Sequence, residues 1–332
     1  MLKKKVLIIF LLLIGLPSIV SANNQVNIVR NPADVPKPLK CSNTPTKRTF
    51  HLEAVELDGY IDGKKTYRYW TFNGKVPGPL FRACVGDTIE IFLKNASKNT
   101  MIHSVDFHAV TGPGGGYAYT KDTAPGEQKS FTFKALKPGL FVYHCATHMV
   151  AHHISQGMYG LFLIEPTGGL PPVDREFYVM QGEIYAEHPP SGSRLEFSYD
   201  KLMNEHPTYI VFNGAKGALT DRFPLKAKVG EKIRLFFGVG GPNLTSSFHV
   251  IGEIFDEIYN LASLTSPPLK DVQTTLVPPG GAVVADIQLQ VPGRYILVDH
   301  ALSRMEKGLA GHLIVEGKEN PSVYKKGTAD DD

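Results

Sequence analysis

Apolar and polar residues alternate with a period of two through many short runs of this chain, as in "KSFTFKA" (129–135) and "AVVADIQLQV" (282–291). Residues two apart share one face of an extended strand, so each run predicts a strand with one buried face. Turn-forming clusters punctuate the runs: "APGE", "KPG", "PPGG" and "VPG". Long helical periodicity is scarce, and only "FSYDKLMNEHP" (197–207) reads as a short helix between strands. The predicted class is all-β, an antiparallel sandwich with Greek-key connections.

The pattern occurs twice. "TFNGKVPG" near 71 is echoed by "VFNGAKG" near 211, and "VGDTIEIFLKN" at 85 by "VGEKIRLFFGVG" at 229. "APGEQKSFTFKALKPGLFVYHC" is echoed by "PPGGAVVADIQLQVPGRYILVDH", and "GLFLIEP" by "GHLIVEG". A repeat near half the chain length is one domain used twice, since solenoid units are far shorter. The expected organisation is an N-terminal extension over 23–45, one sandwich over 46–167, a second over 168–318 and a polar tail over 319–332. "PTGGLPP" (166–172) reads as the linker.

Residues 1–22 stand outside this scheme. "MLKKK" is a basic start, "VLIIFLLLIGL" an apolar stretch short for a membrane span, and "VSA" a small-residue cleavage signal. The segment reads as a secretory signal cut after Ala22, and the mature chain is expected in the periplasm or at the cell surface. Removing Lys3, Lys4 and Lys5 takes the formal charge from +3 to about zero. Such a balance gives no support to nucleic acid or an anionic membrane as partner. The three cysteines are Cys41, Cys84 and Cys145. In an oxidising compartment one of three is left over, and Cys145 lies among histidines. Cys41 and Cys84 could pair as a disulfide or remain two buried thiols.

The candidate chemistry concentrates in "FVYHCATHMVAHHISQGM" (141–158), which holds four histidines, one cysteine and two methionines. Neighbours on a strand point to opposite faces, so His144 and Cys145 are placed to serve two different metal ions joined by one peptide link. Cys145, His153 and Met158 follow one another at the spacing of a thiolate, imidazole and distant thioether set, with a loop between them. His103, upstream in "MIHSVDFHA", supplies the second imidazole. Such a set is that of a type 1 copper electron-transfer site. His108 lies five residues after His103, an odd offset that turns it towards His144 instead. His300, in "LVDHAL", lies in the second repeat roughly where the His144–Cys145 pair lies in the first. Three imidazoles would leave an open position, as a catalytic metal site needs.

"HSVDFHAVTGPGGG", "GLFVYHCAT", "GMYGLFLIEP", "GGPNLTSSFHVIGEIFD" and "LVDHAL" together resemble the copper-containing, nitric-oxide-forming nitrite reductases, of the shorter-loop kind found in neisserial outer-membrane enzymes. The likeness runs from about residue 29 to about Pro321. It implies two tandem cupredoxin-like Greek-key domains and two copper ions per chain. It implies a type 1 copper held by His103, Cys145, His153 and Met158, and a type 2 copper held by His108, His144 and His300. In the family the second site lies between subunits of a homotrimer, with His300 reaching across from a neighbour. Asp106 and His249 match the family's proton-handling pair. Ile251 matches the residue capping the nitrite pocket, and Thr274 the threonine that positions the catalytic histidine. The implied partners are nitrite and a small electron donor, a cupredoxin or a c-type cytochrome. The loop "ATHMVAHHIS" departs from the family's more apolar, Pro- and Gly-containing stretch. Its extra histidines, His148 and His152, are expected to face solvent.

Two other readings compete. A laccase-like multicopper oxidase needs His-x-His pairs, and the chain has none: it reads "HCA" where such an oxidase would need "HCH". A secreted electron carrier with only the type 1 site would leave His108, His144, His300, Asp106 and His249 unexplained.

Overall fold

A computed structural model describes residues 27–189, 191–325 and 327. The signal reading of 1–22 lies outside the described residues. The chain forms two β sandwiches in sequence. In the first, one sheet runs in the order Lys65–Phe72, Lys47–Asp62, Thr88–Asn95, Gln128–Lys134. It faces a sheet of Phe81–Cys84, Tyr159–Glu165, Gly139–His144 and Asp106–Phe107. In the second, Tyr209–Phe212, Arg175–Ile184, Lys232–Gly241, Ala282–Gln288, Phe255–Tyr259 and Leu269–Val272 form one sheet. Its companion is Leu225–Lys228, Gly311–Glu316, Gly293–Asp299, Ser246–Ile251 and Thr274–Val277. The stretch "FSYDKLMNEHP" does hold a helix, Tyr199–Met203.

The sheets are mixed, not purely antiparallel as the alternation suggested. Lys47–Asp62 runs parallel to Thr88–Asn95, and Phe81–Cys84 parallel to Tyr159–Glu165. The second half repeats both pairings, between Arg175–Ile184 and Lys232–Gly241 and between Leu225–Lys228 and Gly311–Glu316. A parallel pair needs a crossover, and the chain supplies it by returning through the opposite sheet. Alternation reports which face is buried, not which way the neighbour runs, so the direction was hidden.

The halves are not separate bodies. Ala186–Glu187 and Arg194–Phe197 leave the second half and extend the first half's sheet, where Leu195 lies parallel to Tyr67. One apolar core runs through the second sandwich into the junction, taking in Ile28, Tyr69, Val76 and Leu161. Another fills the first sandwich. The strand Gly139–His144 separates the two cores. Leu140 and Val142 face the junction, while Tyr143 and the following Cys145 face the first interior. Cys41 and Cys84 form a disulfide that ties the N-terminal extension to the first sandwich. A loop of that length contributes about 4 kcal/mol in the chain-entropy account.

Candidate metal centres

The strand that divides the cores also divides the chemistry. Cys145 continues the inward face and is fully buried, as are His103 and Met158; His153 is 2 % exposed. Cys145 Sγ lies 3.3 Å from His153 Nδ1 and 4.0 Å from His103 Nδ1. The three donor atoms lie within 4.8 Å of one another. Met158 is tied to the same spot through its backbone: its carbonyl accepts from the Cys145 amide at 3.1 Å. Burial alone would raise the Cys145 thiol. Hydrogen bonds from His103 and His153 outweigh it and hold the thiol well below its ordinary range. A thiolate with two imidazoles in a dry pocket is the donor chemistry that copper takes up, so these residues fit that metal.

The pocket has supports that the sequence reading missed. Ser104 donates its amide to Cys145 Sγ at 3.5 Å, and Thr147 Oγ1 lies at 3.5 Å from it. The single tryptophan, Trp70, packs its ring against His103, His152 and His153. Glu56 accepts from His103 Nε2 at 3.3 Å, and also from the Thr100 and Met101 amides at 3.0 and 2.8 Å. Burial works to raise its carboxyl, yet these donors bring it down to about 2. Parity could have found Glu56: in "LEAVE" it shares the inward face with Leu52 and Ala54.

The segment after Cys145, expected as a loop, carries a helix, Val150–Ser155. His148 is exposed as expected. His152 is not solvent-facing: it stacks on Phe197 at 3.7 Å between centroids and 17°, with Trp70 at 4.6 Å. Burial and the neighbouring His153 push it down to about 4. Phe197 belongs to the segment that crosses from the second half, so local sequence could not have revealed this partner.

On the other face, His144 Nε2 meets His108 Nε2 at 3.2 Å, and Asp106 completes a group whose atoms lie within 4.8 Å. The segment "HSVDFHA" is a strand only at Asp106–Phe107, which pairs with His144 and Tyr143. His103 sits in an isolated bridge to Thr123. The "GPGGG" turn makes room for Asp106: a Cβ on Gly115 would lie 1.8 Å from its Oδ1, and Gly115 has φ +54. His108 leans on the second half, where a Cβ on Gly280 would lie 3.2 Å from its Cε1.

His300 is not in that group. It is exposed at the end of Gly293–Asp299, with its ring 5.6 Å from that of His249. His249 Nδ1 donates to the Gln273 carbonyl at 2.6 Å, which leaves Nε2 free. Thr274 lies opposite His249 in the ladder, and Ile251 is 40 % exposed two residues on. The chain therefore carries two separate groups: Asp106, His108 and His144 in one, and His249, Ile251, Thr274 and His300 in the other. Two imidazoles and a carboxylate converging on one point suit a borderline cation such as copper, with coordination left over.

The ladder also corrects the placement of His300 against the first repeat. Gly139 pairs with Ile164 and Tyr143 with Gly160; Gly293 pairs with Val315 and Leu297 with Gly311. Counting along these registers puts Val298 where the first half has His144, Asp299 where it has Cys145, and His300 one step beyond. Asp106 lies opposite His144, and His249 opposite Val298. Asp106 and His249 therefore occupy equivalent positions in the two halves.

Comparison with known proteins agrees with this architecture. Residues 54–169 match a family model described as multicopper oxidase. A copper-containing nitrite reductase of Neisseria meningitidis serogroup A is 48% identical over 288 residues, covering 86% of this chain and 74% of the relative. One from Cereibacter sphaeroides is 35% identical, covering 82% and 78%. The solved copper nitrite reductase of Nitrosomonas europaea superposes with TM-score 0.73 at 34% identity, covering 83% of this chain and 96% of that one.

Proposed function

The chain belongs to the copper-containing nitrite reductases, and from that membership we propose that it reduces nitrite by one electron to nitric oxide and water, using two coppers per chain. His103, Cys145, His153 and Met158 would hold a type 1 copper, and His108, His144 and His300 a type 2 copper. At the first set copper would supply one-electron storage, and at the second a Lewis acid and template for nitrite. The observation that carries the reading is the strand end itself. His144 and Cys145 are adjacent, Cys145 lies in the first core while His144 lies outside both, and each joins a different donor set. One peptide link thus connects the two sets covalently.

The remaining work falls to protons. Asp106 shares a group with His108 and His144, so its carboxylate can hold a proton beside a bound nitrite oxygen. His249 keeps Nε2 available while Nδ1 is fixed on Gln273. The two act as a coupled acid–base pair. Thr274 pairs with His249 across the ladder beside the Gln273 carbonyl that orients the ring, and Ile251 would cap the nitrite pocket with an apolar surface.

The two separate groups imply assembly. A heterologous contact that sets His300 of one chain beside His108 and His144 of the next would close into a ring, and three copies are the family's arrangement. An electron-donor protein, cupredoxin or c-type cytochrome, would approach the Cys145 side. The residues 1–22 would export the chain to the periplasm or the cell surface.

The test is an anaerobic nitric oxide electrode with copper-loaded protein, nitrite, a reduced artificial donor and a copper-stripped control. Copper-dependent nitric oxide supports the reading. Two coppers per chain with no nitric oxide would mean a different substrate. One copper with no nitric oxide would mean an electron carrier.

A further inference from the structure

Glu56 is a carboxylate with almost no reason to be where it is unless it serves its neighbour. Its side chain is 1 % exposed, on the inward face of Lys47–Asp62, where Leu52 and Ala54 are apolar. Burying a charge is costly unless donors surround it. Here they do. Oε1 accepts from the Thr100 amide, the Met101 amide and His103 Nε2; Oε2 accepts from Thr100 Oγ1 at 2.7 Å and lies 3.5 Å from Arg68 Nη2. The backbone of Thr100 and Met101 therefore holds the carboxylate independently of His103.

A saturated, ionised carboxylate only accepts, so His103 Nε2 carries its hydrogen and Nδ1 presents its lone pair. Nδ1 is the atom that faces Cys145 Sγ. Arg68 is 31 % exposed and also reaches Asp58 at 3.8 Å, itself 37 % exposed. Arg68 is thus the one cationic side chain that pairs with Glu56 among the described residues.

We propose that Glu56 is the positioning residue of the first metal centre: it selects the tautomer and ring plane of His103, and its charge, partly offset by Arg68, favours the oxidised metal. This rests on the type 1 copper reading above. Outer carboxylates of this kind raise the basicity of the imidazole they hold, and losing one typically costs about 10- to 100-fold in metal affinity.

The experiment is a redox titration of copper-loaded protein, followed by the thiolate–copper visible band, with copper content per chain measured alongside. Glu56→Gln keeps an acceptor for Nε2 and removes the charge. It is expected to retain the band and move the midpoint potential upward. Glu56→Ala removes the acceptor as well, and is expected to lower affinity for the first copper about 10- to 100-fold and change the band. Arg68→Met leaves the Glu56 charge uncompensated and is expected to move the potential downward. Asp58→Asn is the surface control, with little shift. The inference is overturned if Glu56→Gln, still holding copper, titrates at the native potential, or if Asp58→Asn shifts it as far. Should the Glu56 variants fail to fold, Arg68→Met decides: an unmoved potential overturns it. Native copper-loaded protein without a thiolate band would overturn the type 1 reading and this inference together. A native band with no response in the variants would overturn the inference alone.

Discussion

The two halves place different residues in the same pocket. In the first, His103, Cys145 and Met158 converge in a dry interior. By the ladder registers the second has Ser246, Asp299 and Leu309 at those positions, all buried to within 1 %. The shared frame is visible in its hydrogen bonds. Ser104 donates its amide to Cys145 Sγ, and Ser247 donates its amide to Asp299 Oδ1 at 3.1 Å. What differs is the cation. The first half presents a thiolate and two imidazoles that could hold a metal ion. The second half supplies its own cation: Asp299 is paired with Arg304, whose guanidinium also reaches the Thr245 carbonyl at 2.7 Å. That pair sits one residue from His300, so the second pocket anchors the residue proposed as the third ligand of the other site.

The comparison breaks most sharply at Arg304. Arg304→Met should leave Asp299 buried and unpaired, and lower stability by about 3–5 kcal/mol in urea denaturation. A loss under about 1 kcal/mol would mean that the second pocket needs no cation. Next in size are the equivalent positions Asp106 and His249. Asp106→Asn should keep both coppers and lower nitrite turnover on the order of 100-fold or more. Near-native turnover would remove Asp106 from the proton path. Met158→Leu gives the first half the residue that the second has at Leu309. It should cost less than about 1.5 kcal/mol, change the visible spectrum and spare the second copper. An unchanged spectrum would reject Met158 as a ligand.

The smallest difference is at the turn where Val110 and Glu253 correspond. Each donates its amide three residues back, to Phe107 and Val250. Burial, helped by Asp256, pushes Glu253 up from 4.5 to about 7. In that window the folded chain holds a proton that the unfolded chain has released. Stability should therefore fall as pH rises through it, and Glu253→Gln should flatten that slope. A wild-type profile already flat there would remove Glu253 as a source of pH dependence.

Much of this was legible because strand parity is a local property. Alternation in "FVYHC" was enough to send His144 and Cys145 to different sides, and the repeat was enough to expect two sandwiches. Around His103, where the chain is a strand only at Asp106–Phe107, parity still sent His103 towards Cys145 and His108 towards His144; it said nothing of the helix Val150–Ser155. It was also silent on partners far away in sequence. His152 meets Phe197, and His103 meets Glu56, through tertiary packing alone. The repeat placed His300 only roughly beside the His144–Cys145 pair, and the strand register fixes it one residue beyond.

The crossing of Arg194–Phe197 into the first sheet bears on how the chain is made. Lys65–Phe72 has a covered outer edge only once that later segment has emerged and paired beside it. During synthesis or export the first sandwich would wait with an open strand edge, a place where another chain can add. The same delay leaves His152, which packs on Trp70, without the Phe197 ring that stacks on it. Cover for His152 and shielding of that edge are thereby linked to one event, the arrival of the second half.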